Sequence, residues 1–286
     1  MLVDAQTLDV RPVCDLVLRD QAGEITGDVE VGAIGWSNEL VTHVIELKTA
    51  EPVATLAGLA GQFQESVGRI EALAARHGAR LMPGGMHPWM DPAGAQLWPH
   101  EYSDVYRTFD RIFGCRGHGW SNLQSVHLNL PFAGDEEFGR LHAAVRLVLP
   151  LLPALAASSP FMEGAPSGLE DTRLEVYRFN CKRVPSVTGR VIPEAVFSEQ
   201  EYRERILEPM YRDVAPLDPQ GCIQHEWLNA RGAIARFDRS AIEIRVLDVQ
   251  ECPRADVALI ALLVAMLRGL VEERWSSGGQ QRAWAI

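Results

Sequence analysis

Residues 241–248 constrain the fold more than any other part of the sequence, because apolar and charged side chains alternate along them. Successive side chains of a strand point to opposite faces, so the isoleucine and valine side chains lie on one face and Glu243 and Arg245 on the other. A carboxylate beside a guanidinium can bind a divalent cation and hold a phosphoryl or carboxylate group. The alternation alone favours a simpler alternative, a surface strand with a cross-strand ion pair.

Two further segments repeat this alternation with complementary side chains. Residues 124–130 place His127 and Asn129 on their polar face, and residues 44–48 place Glu46 on theirs. A single histidine on a strand is more often a hydrogen-bonded bystander than a ligand. If the three strands share one sheet, however, their polar faces form one cavity that holds two glutamates, a histidine and an arginine. That combination predicts a metal-assisted phosphate site.

Glu39 and Arg173 are further candidates whose roles the sequence leaves open. Glu39 lies seven residues before Glu46, so on a regular strand the two side chains would point to different faces. Residues 37–40 are typical of a cap and a short turn, which would bring Glu39 back toward the site. The alternative is a first-turn glutamate favoured by a helix dipole. Arg173 and Arg178 lie in a polar, glycine-rich stretch, where they are either solvated or anchor an anionic substrate.

The order of the predicted elements indicates an α+β fold. Periodicity predicts helices over residues 55–77, 101–113, 135–157, 199–211 and 255–274. Strands are predicted over residues 44–48, 79–82, 124–130, 223–228, 233–237 and 241–248, with 238–240 as a hairpin connection. Residues 164–196 are predicted to form long loops around a site. Because strands and helices do not alternate as βαβ units, we expect one domain with an antiparallel sheet and helices packed on one face.

Composition and charge exclude several classes of protein. With 47% hydrophobic and 23% charged residues, the 286-residue chain is typical of a soluble globular protein. A net charge of −11 argues against binding to a nucleic-acid backbone or to an anionic membrane surface. The five cysteines are scattered without a C-x-x-C pair, no signal peptide is visible, and no uninterrupted apolar run is long enough to span a bilayer. We therefore expect a cytoplasmic protein.

The short motifs of the chain resemble those of one known family. No P-loop, H-E-x-x-H motif or G-x-S-x-G nucleophile elbow occurs. Six short segments, weak singly but specific in this order, resemble the glutamate–cysteine ligase family, second type, the carboxylate–amine ligase group with a glutamine-synthetase-like fold. The resemblance covers nearly the whole chain. The segments are Glu39–Thr49, Gly85–Pro88, Ser125–Asn129, Ala157–Gly164, Asp171–Arg173 and Ile242–Arg245.

The resemblance implies an ATP- and Mg²⁺-dependent ligase built on a curved antiparallel sheet. ATP would phosphorylate the side-chain carboxylate of glutamate, and an amine, that of cysteine in the type reaction, would displace the phosphate to give a γ-glutamyl amide. Phosphoryl transfer of this kind needs cations that bridge the phosphates. By analogy, Glu39 and Glu46 would hold one Mg²⁺, and His127 with Glu243 would hold another.

The resemblance also implies roles for the remaining polar residues. Arg245 would steady the transferred phosphoryl group, and Arg173 would anchor the carboxylate of the amino acid substrate. Asn129, Asn229 and Arg231 would contact substrate or nucleotide. The implied partners are therefore amino acids and ATP.

The start of the sequence departs from the family pattern. Members open with a strand bearing Gly-x-Glu-x-Glu before a stretch similar to residues 2–4, whereas this sequence begins just after that point and ends early, at Ile286. We therefore expect either a longer protein or a degenerate member with weaker Mg²⁺ binding. A sheet edge left without that strand would favour a homo-oligomer. The alternatives are a non-catalytic protein that binds nucleotide or amino acid, and a metal-dependent hydrolase that uses the same carboxylates.

Overall fold

The computed structural model describes residues 1–284, which divide into two compact units. Antiparallel strand pairs and helices occur in both units, which is consistent with the predicted α+β class. The predicted single domain spans both units and stays a prediction. The first unit comprises Met1–Gln124, Ser158–Arg173 and Asp248–Ala258, and the second comprises Ser125–Ala157, Leu174–Leu247 and the described chain from Leu259 onward.

Ten strands lie within the described residues, in four small sheets. The strands are β1 (Leu2–Asp4), β2 (Asp28–Val31), β3 (Ile34–Asn38), β4 (Ile45–Thr49), β5 (Ala79–Leu81), β6 (Ser125–Pro131), β7 (Phe161–Met162), β8 (Ala165–Pro166), β9 (Ala233–Arg236) and β10 (Ala241–Asp248). The sheet orders are β1-β5, β2-β3-β4, β7-β8 and β6-β10-β9. The first three sheets belong to the first unit, and the fourth belongs to the second unit apart from the last residue of β10.

The helices vary from one turn to five turns in length. They are α1 (Cys14–Ala22), α2 (Leu59–Ala74), α3 (Ser103–Phe113), α4 (His118–Ser121), α5 (Gly134–Val148), α6 (Leu152–Ala156), α7 (Thr172–Tyr177), α8 (Glu199–Tyr202), α9 (Glu208–Val214), α10 (Pro253–Val271) and α11 (Gly278–Ala283). Short 3₁₀ turns connect several of them, and a π-helical turn joins α8 to α9.

The core of the first unit packs the β2-β3-β4 meander against α1 and α2. Ile34 and Trp36 of the central strand β3 are buried, together with Leu2 of β1 and the indole of Trp98. Helix α2 carries the apolar stripe predicted from its period and buries Ile70 in the same core. Burial of each such side chain stabilises the fold by about 1.5–3 kcal/mol, so the meander and the two helices depend on one another.

In the second unit, β10 is the central strand of its sheet. Strands β9 and β10 are antiparallel, with Glu243 opposite Ile234 and Ala241 opposite Arg236, and the predicted hairpin connection is confirmed. Strand β6 lies on the other side of β10. The side chains on both faces of β10 are buried, and only Arg245 is partly exposed.

A cluster of aromatic rings forms the core beside this sheet, and Phe138, His142, Tyr202 and Phe237 are among its members. Phe138 of α5 lies 5.2 Å from Phe237, and Tyr202 of α8 meets Phe237 edge-on at 5.5 Å between ring centroids. His142 stacks on Phe138 at 5.2 Å. Burial, with a further contribution from Arg146, lowers the pKa of His142 to about 4, so the imidazole is neutral at pH 7.

Most of the predicted helices and strands are confirmed, with shifted ends. Helix α2 begins at Leu59 rather than at residue 55, and Gly78, with a φ of 65°, provides the predicted stop after a 3₁₀ turn. The long helix predicted over residues 135–157 is interrupted at Leu149–Leu151, because Pro150 lacks the N–H that a continuous helix needs.

Other local predictions are wrong. Glu226–Leu228 form a 3₁₀ turn instead of the strand predicted over residues 223–228. Residues 164–196, predicted as loops, contain α7 and the short strand β8. Strands β1, β2 and β3 and helix α1 were not predicted. In β3, Ile34 and Trp36 alternate with Gly35 and Ser37 and all four are buried, so no charged residue marks a second face.

The expectation of a single sheet is also wrong for the described residues. Strand β4, which carries Glu46, pairs with β3 in the meander of the first unit, whereas β6 and β10 pair in the sheet of the second unit. Of the polar residues predicted to share one sheet, only His127, Asn129, Glu243 and Arg245 do so. Alternation indicates which side chains share a face of one strand, but it does not identify the neighbouring strand.

One helical stretch within residues 1–284 is long and apolar enough to cross a membrane, judged by length and composition alone. It covers the 23 residues of Gly134–Ala156. Of its most apolar window, 56% is buried inside the protein, as in the core helix of a soluble protein. The stretch is therefore weak evidence for a membrane span, and the predicted cytoplasmic location stays a prediction.

We predict that His142 makes the stability of the second unit fall as the pH is lowered. The folded-state pKa of about 4 lies below the 6.5 of an ordinary histidine, so between pH 6.5 and pH 4 the unfolded chain binds a proton that the folded chain does not. The contribution of His142 to the free energy of unfolding is thus fully present above pH 6.5, and about 3 kcal/mol of it is lost by pH 4. In His142→Phe, which keeps the ring stack, that portion of the pH dependence should be absent.

Urea denaturation at several pH values between 7 and 4 measures the effect. Titrations of other groups are common to both proteins and cancel in the comparison. Parallel stability curves for the wild type and His142→Phe would contradict the prediction.

Candidate active site

Glu243 and Arg245 form an ion pair on the polar face of β10. Arg245 Nε lies 2.9 Å from Glu243 Oε1, and the Glu243 side chain is only 9% exposed. Residues two apart on a strand point to the same side, so the pattern in the sequence produces this pair directly. A carboxylate buried to this degree needs compensating cations, because an unpaired buried ion costs several kcal/mol.

His127 of the adjacent strand β6 completes one side of this pair. Its Nδ1 lies 3.7 Å from Glu243 Oε1, and its Nε2 lies 2.8 Å from Ser125 Oγ. The polar faces of β6 and β10 therefore meet, as expected for two strands that share one sheet. Asn129 follows His127 by two residues on the same exposed face of β6, and its predicted contact with substrate or nucleotide stays a prediction.

Arg236 of β9 approaches Glu243 from the opposite side, and sequence analysis missed it. Its Nη1 lies 3.9 Å from Glu243 Oε2, and its Nε and Nη2 donate to the two oxygens of Asp238 at 3.0 and 2.8 Å. Glu243 pairs with Ile234, and Arg236 is two residues beyond Ile234, so both side chains share one face. The hairpin register was the signal that could have identified Arg236.

The electrostatic balance at Glu243 favours the ionised form. Burial raises the pKa of Glu243, but Arg245, His127 and Arg236 outweigh burial and hold the pKa below its ordinary range. Arg245 and Arg236 carry two positive charges on this face, and Glu243 and Asp238 carry two negative charges, so these ion pairs balance. Arg245 is partly exposed, and a guanidinium can bind a phosphate or carboxylate group.

Asn229 and Arg231, the two predicted nucleotide contacts, are buried in the second unit. Arg231 forms a two-point ion pair with Glu194, with both N–O distances at 2.7 Å. The Asn229 side chain is bonded to Tyr202 and to Arg231. Their contact with nucleotide stays a prediction, but the protein already uses most of their polar atoms.

Glu39 and Glu46 lie in the first unit, after β3 and on β4. Glu46 Oε2 accepts a hydrogen bond from Ser37 Oγ at 2.7 Å and lies 3.9 Å from Lys48 Nζ. Ser37 and Asn38 belong to β3, so the predicted cap is wrong, and no helix begins at Glu39, so the alternative of a first-turn glutamate is wrong as well. Burial, with further contributions from Glu39 and Glu46, raises the pKa of Tyr106 to about 12.

Arg173 is buried at the start of α7 and is not presented by an open loop. Its Nε donates to the carboxylate of Asp248, which also accepts hydrogen bonds from Ser158 N at 2.9 Å and Ser159 Oγ at 2.7 Å. Gly85 is required beside it, since a Cβ there would lie 2.5 Å from the Asp248 carboxylate. Nη2 of Arg173 has no hydrogen-bond partner among the described residues. The predicted role in substrate binding stays a prediction.

The donor chemistry fits Mg²⁺ better at some of these residues than at others. Within residues 1–284, no group of three or more His, Cys, Asp or Glu side chains is placed to hold a metal ion. Mg²⁺ commonly takes one or two carboxylates and completes its shell with water and phosphate oxygens. Glu39 and Glu46 suit that pattern. Glu243 supplies oxygen but is engaged by Arg245, and His127 offers the nitrogen that Mg²⁺ favours less.

A cavity in the second unit lies apart from these residues. Its volume is about 550 Å³, and its lining includes Asp135, Glu199, Arg203, Glu204 and Glu208, but none of the predicted site residues. A lining with four carboxylates and one guanidinium repels polyanions such as ATP. We therefore place the candidate site on the β6-β10 face and not in this cavity.

Comparison with known proteins assigns a family to this fold and site. The chain belongs to glutamate-cysteine ligase family 2 (GCS2), whose model matches residues 2–284. This confirms the resemblance drawn from the short motifs, and it supports a carboxylate–amine ligase-like role.

Three relatives illustrate the similarity. An uncharacterized protein of Archaeoglobus fulgidus is 40% identical over 92% of this chain and 70% of its own length. A Rubrobacter xylanophilus protein named "Putative glutamate--cysteine ligase 2-3" is 29% identical over 91% of this chain and 65% of its own length. A Pseudomonas aeruginosa protein named "Putative glutamate--cysteine ligase 2" is 31% identical over 97% of this chain and 61% of its own length. The chain thus spans about two thirds of these relatives.

We predict that Asp248→Ala destabilises the first unit by about 3–5 kcal/mol, because it leaves the buried Arg173 guanidinium without its counter-ion. Urea denaturation followed by tryptophan fluorescence measures the loss, since Trp36 and Trp98 lie in the core of that unit. The matched control is Asp104→Ala, whose partner on the surface is Arg107; the two side chains are 84% and 64% exposed. The control should leave the denaturation midpoint unchanged, and equal midpoints for Asp248→Ala and the wild type would contradict the prediction.

Proposed function

We propose that this protein is an ATP- and Mg²⁺-dependent carboxylate–amine ligase similar to glutamate–cysteine ligase, on a glutamine-synthetase-like fold. One observation carries the proposal. In a chain that the family model matches over residues 2–284, Glu243, Arg245 and His127 converge on one partly open sheet face. That face combines a carboxylate with cationic side chains, and phosphoryl transfer requires groups of both kinds.

The proposed reaction couples two substitutions. The γ-carboxylate of glutamate attacks the terminal phosphorus of ATP, the bond to ADP breaks, and an acyl phosphate forms. An amine then attacks the acyl carbon, phosphate leaves, and a γ-glutamyl amide remains, so that one ADP and one phosphate accompany each product molecule. Mg²⁺, held by Glu39 with Glu46 and by Glu243 with His127, would neutralise charge on the phosphates.

Arg245 is the residue that we propose for the transferred phosphoryl group. Its side chain is 21% exposed, so its guanidinium can reach an anion while it remains close to Glu243. A planar guanidinium matches the oxygens of a phosphoryl group and stabilises the charge that develops on them.

Arg173 would bind the carboxylate of the amino acid substrate through Nη2, because Asp248 occupies Nε. Asn129 would contribute a polar contact from the same strand as His127. A cytoplasmic location and a homo-oligomeric state belong to the same proposal, and so does the absence of nucleic-acid and membrane partners.

We predict that the purified protein releases ADP and phosphate in equal amounts only when Mg-ATP, glutamate and an amine donor are all present. Mass spectrometry should identify a γ-glutamyl amide, and a panel of amines that includes cysteine should reveal the preferred acceptor. Removal of Mg²⁺ with EDTA should abolish turnover, because the phosphate charges are then uncompensated.

The variant that tests the site is Arg245→Lys. It keeps a positive charge but loses the planar pair of donors, and kcat should fall by about 10²–10³-fold. The matched control is Arg274→Lys, on a surface pair of the same unit with Glu272, and its activity should equal that of the wild type.

The same assay separates the alternatives. Binding of ATP in a calorimeter, with no ADP formed for any amino acid or amine, would overturn the ligase and favour a non-catalytic binding protein. Product release without ATP would favour a metal-dependent hydrolase.

A further inference from the structure

Arg231 is buried with almost all of its guanidinium group occupied. Nε and Nη2 each contact one oxygen of Glu194 at 2.7 Å. Nη1 donates to the Ser186 carbonyl oxygen and to Asn229 Oδ1, both at 3.1 Å. A guanidinium has five N–H donors, so one at most is left for a ligand. This geometry does not suit a nucleotide contact.

The side chain of Asn229 is occupied to the same degree. Its Nδ2 donates to the Tyr202 hydroxyl at 2.9 Å, and its Oδ1 accepts from Arg231 N at 3.2 Å as well as from Arg231 Nη1. Asn229 has no exposed surface. Its side chain therefore holds the local backbone in place and does not face a ligand.

The backbone of Asn229 is the part that reaches the candidate site. Its carbonyl oxygen accepts a hydrogen bond from Arg245 Nη1 at 3.0 Å. Arg245 Nε at the same time lies 2.9 Å from Glu243 Oε1. Nε and Nη1 of the guanidinium are thus both held, and it cannot rotate without losing one of these contacts. The position of the Asn229 carbonyl therefore constrains the orientation of the Arg245 guanidinium.

We propose that Glu194, Arg231 and Asn229 form a positioning network that orients Arg245 toward a phosphoryl anion. The network rests on the proposed function in one respect, the identity of the anion that Arg245 holds. Glu194 holds Arg231, Arg231 holds the Asn229 side chain, and the Asn229 carbonyl holds Arg245. Donors that are oriented in advance need no reorganisation during the reaction, which is how such contacts accelerate phosphoryl transfer.

Gly189 provides a further sign that the position of Arg231 is specified. The Arg231 guanidinium packs directly on its Cα, and a Cβ at this position would lie 2.7 Å from Arg231 Nη2. Gly189 also has a φ of 55°, where glycine is favoured. Gly189→Ala would therefore displace Arg231 while all the charges of the network are retained.

Steady-state kinetics of the full chain test the network. Glu194→Gln should lower kcat by about 10- to 100-fold, the loss typical of contacts that orient a functional group, and leave the KM for ATP unchanged within about twofold. Arg231→Lys keeps the positive charge but cannot contact both Glu194 oxygens. Its kcat should therefore lie between those of the wild type and Glu194→Gln. The matched control is Glu199→Gln, which removes the surface pair with Arg203 and should leave both constants unchanged.

A second measurement does not depend on turnover. In protein labelled with ¹⁵N-arginine, comparison with Arg245→Lys assigns the Nε–H resonance of Arg245. Glu194→Gln should shift this resonance, because loss of the ion pair with Arg231 lets the Asn229 carbonyl move and so releases the Arg245 guanidinium on one side. Glu199→Gln should leave the resonance in place. If Glu194→Gln does not fold, Gly189→Ala and Arg231→Lys provide the same comparison.

Two outcomes would overturn the network. A higher KM for ATP with an unchanged kcat would assign Arg231 to nucleotide binding. An Arg245 resonance that Glu194→Gln leaves in place would show that the contacts do not orient Arg245. A shifted resonance in a protein without ligase activity would support the network and overturn only the proposed function, so the two failures are distinguishable.

Discussion

The buried charge of Glu243 is the constraint on which the second unit depends. A central strand covers this carboxylate with protein on both sides, and a buried carboxylate is tolerated only where cations surround it. Arg245 on the same strand, Arg236 on one neighbouring strand and His127 on the other supply that compensation. Once Arg245 is held by Glu243, its second contact with the Asn229 carbonyl sets its orientation. The burial of Glu243 and the orientation of Arg245 therefore depend on the same contacts.

The first unit solves a similar problem in a different way. Asp248 is buried with Arg173, and two serine donors and the bare Cα of Gly85 complete its surroundings. Both partners of this pair are almost fully buried, whereas Arg245 is 21% exposed. The two ion pairs therefore differ in how far solvent reaches them. The Arg245 side chain is reached by solvent, whereas the Arg173–Asp248 pair is enclosed by protein and holds the unit together.

Secondary structure was predictable from the sequence where contrasting residue types repeat with a regular period. Strand β10 alternates apolar with charged side chains, although nearly all of them are buried, and helix α2 carries an apolar stripe of period 3.6; both were predicted. Strand β3 has no charged residue between its apolar residues Ile34 and Trp36, and it was missed. The apolar residues of 223–228 were read as a strand although they form a turn, because a short apolar run is compatible with several local structures.

The sequence by itself determined which side chains share a face of each strand, and its ordered motifs identified the family. It therefore predicted that Glu243 and Arg245 are neighbours and that His127 displays its ring on a polar face. The tertiary structure alone decided their partners, because contacts such as Arg231 with Glu194 and Arg236 with Glu243 depend on register and on chain reversals. The periodicity of a single segment does not indicate which distant residues it contacts. For the same reason, only the fold could show that the polar atoms of Asn229 and Arg231 are already bonded within the protein.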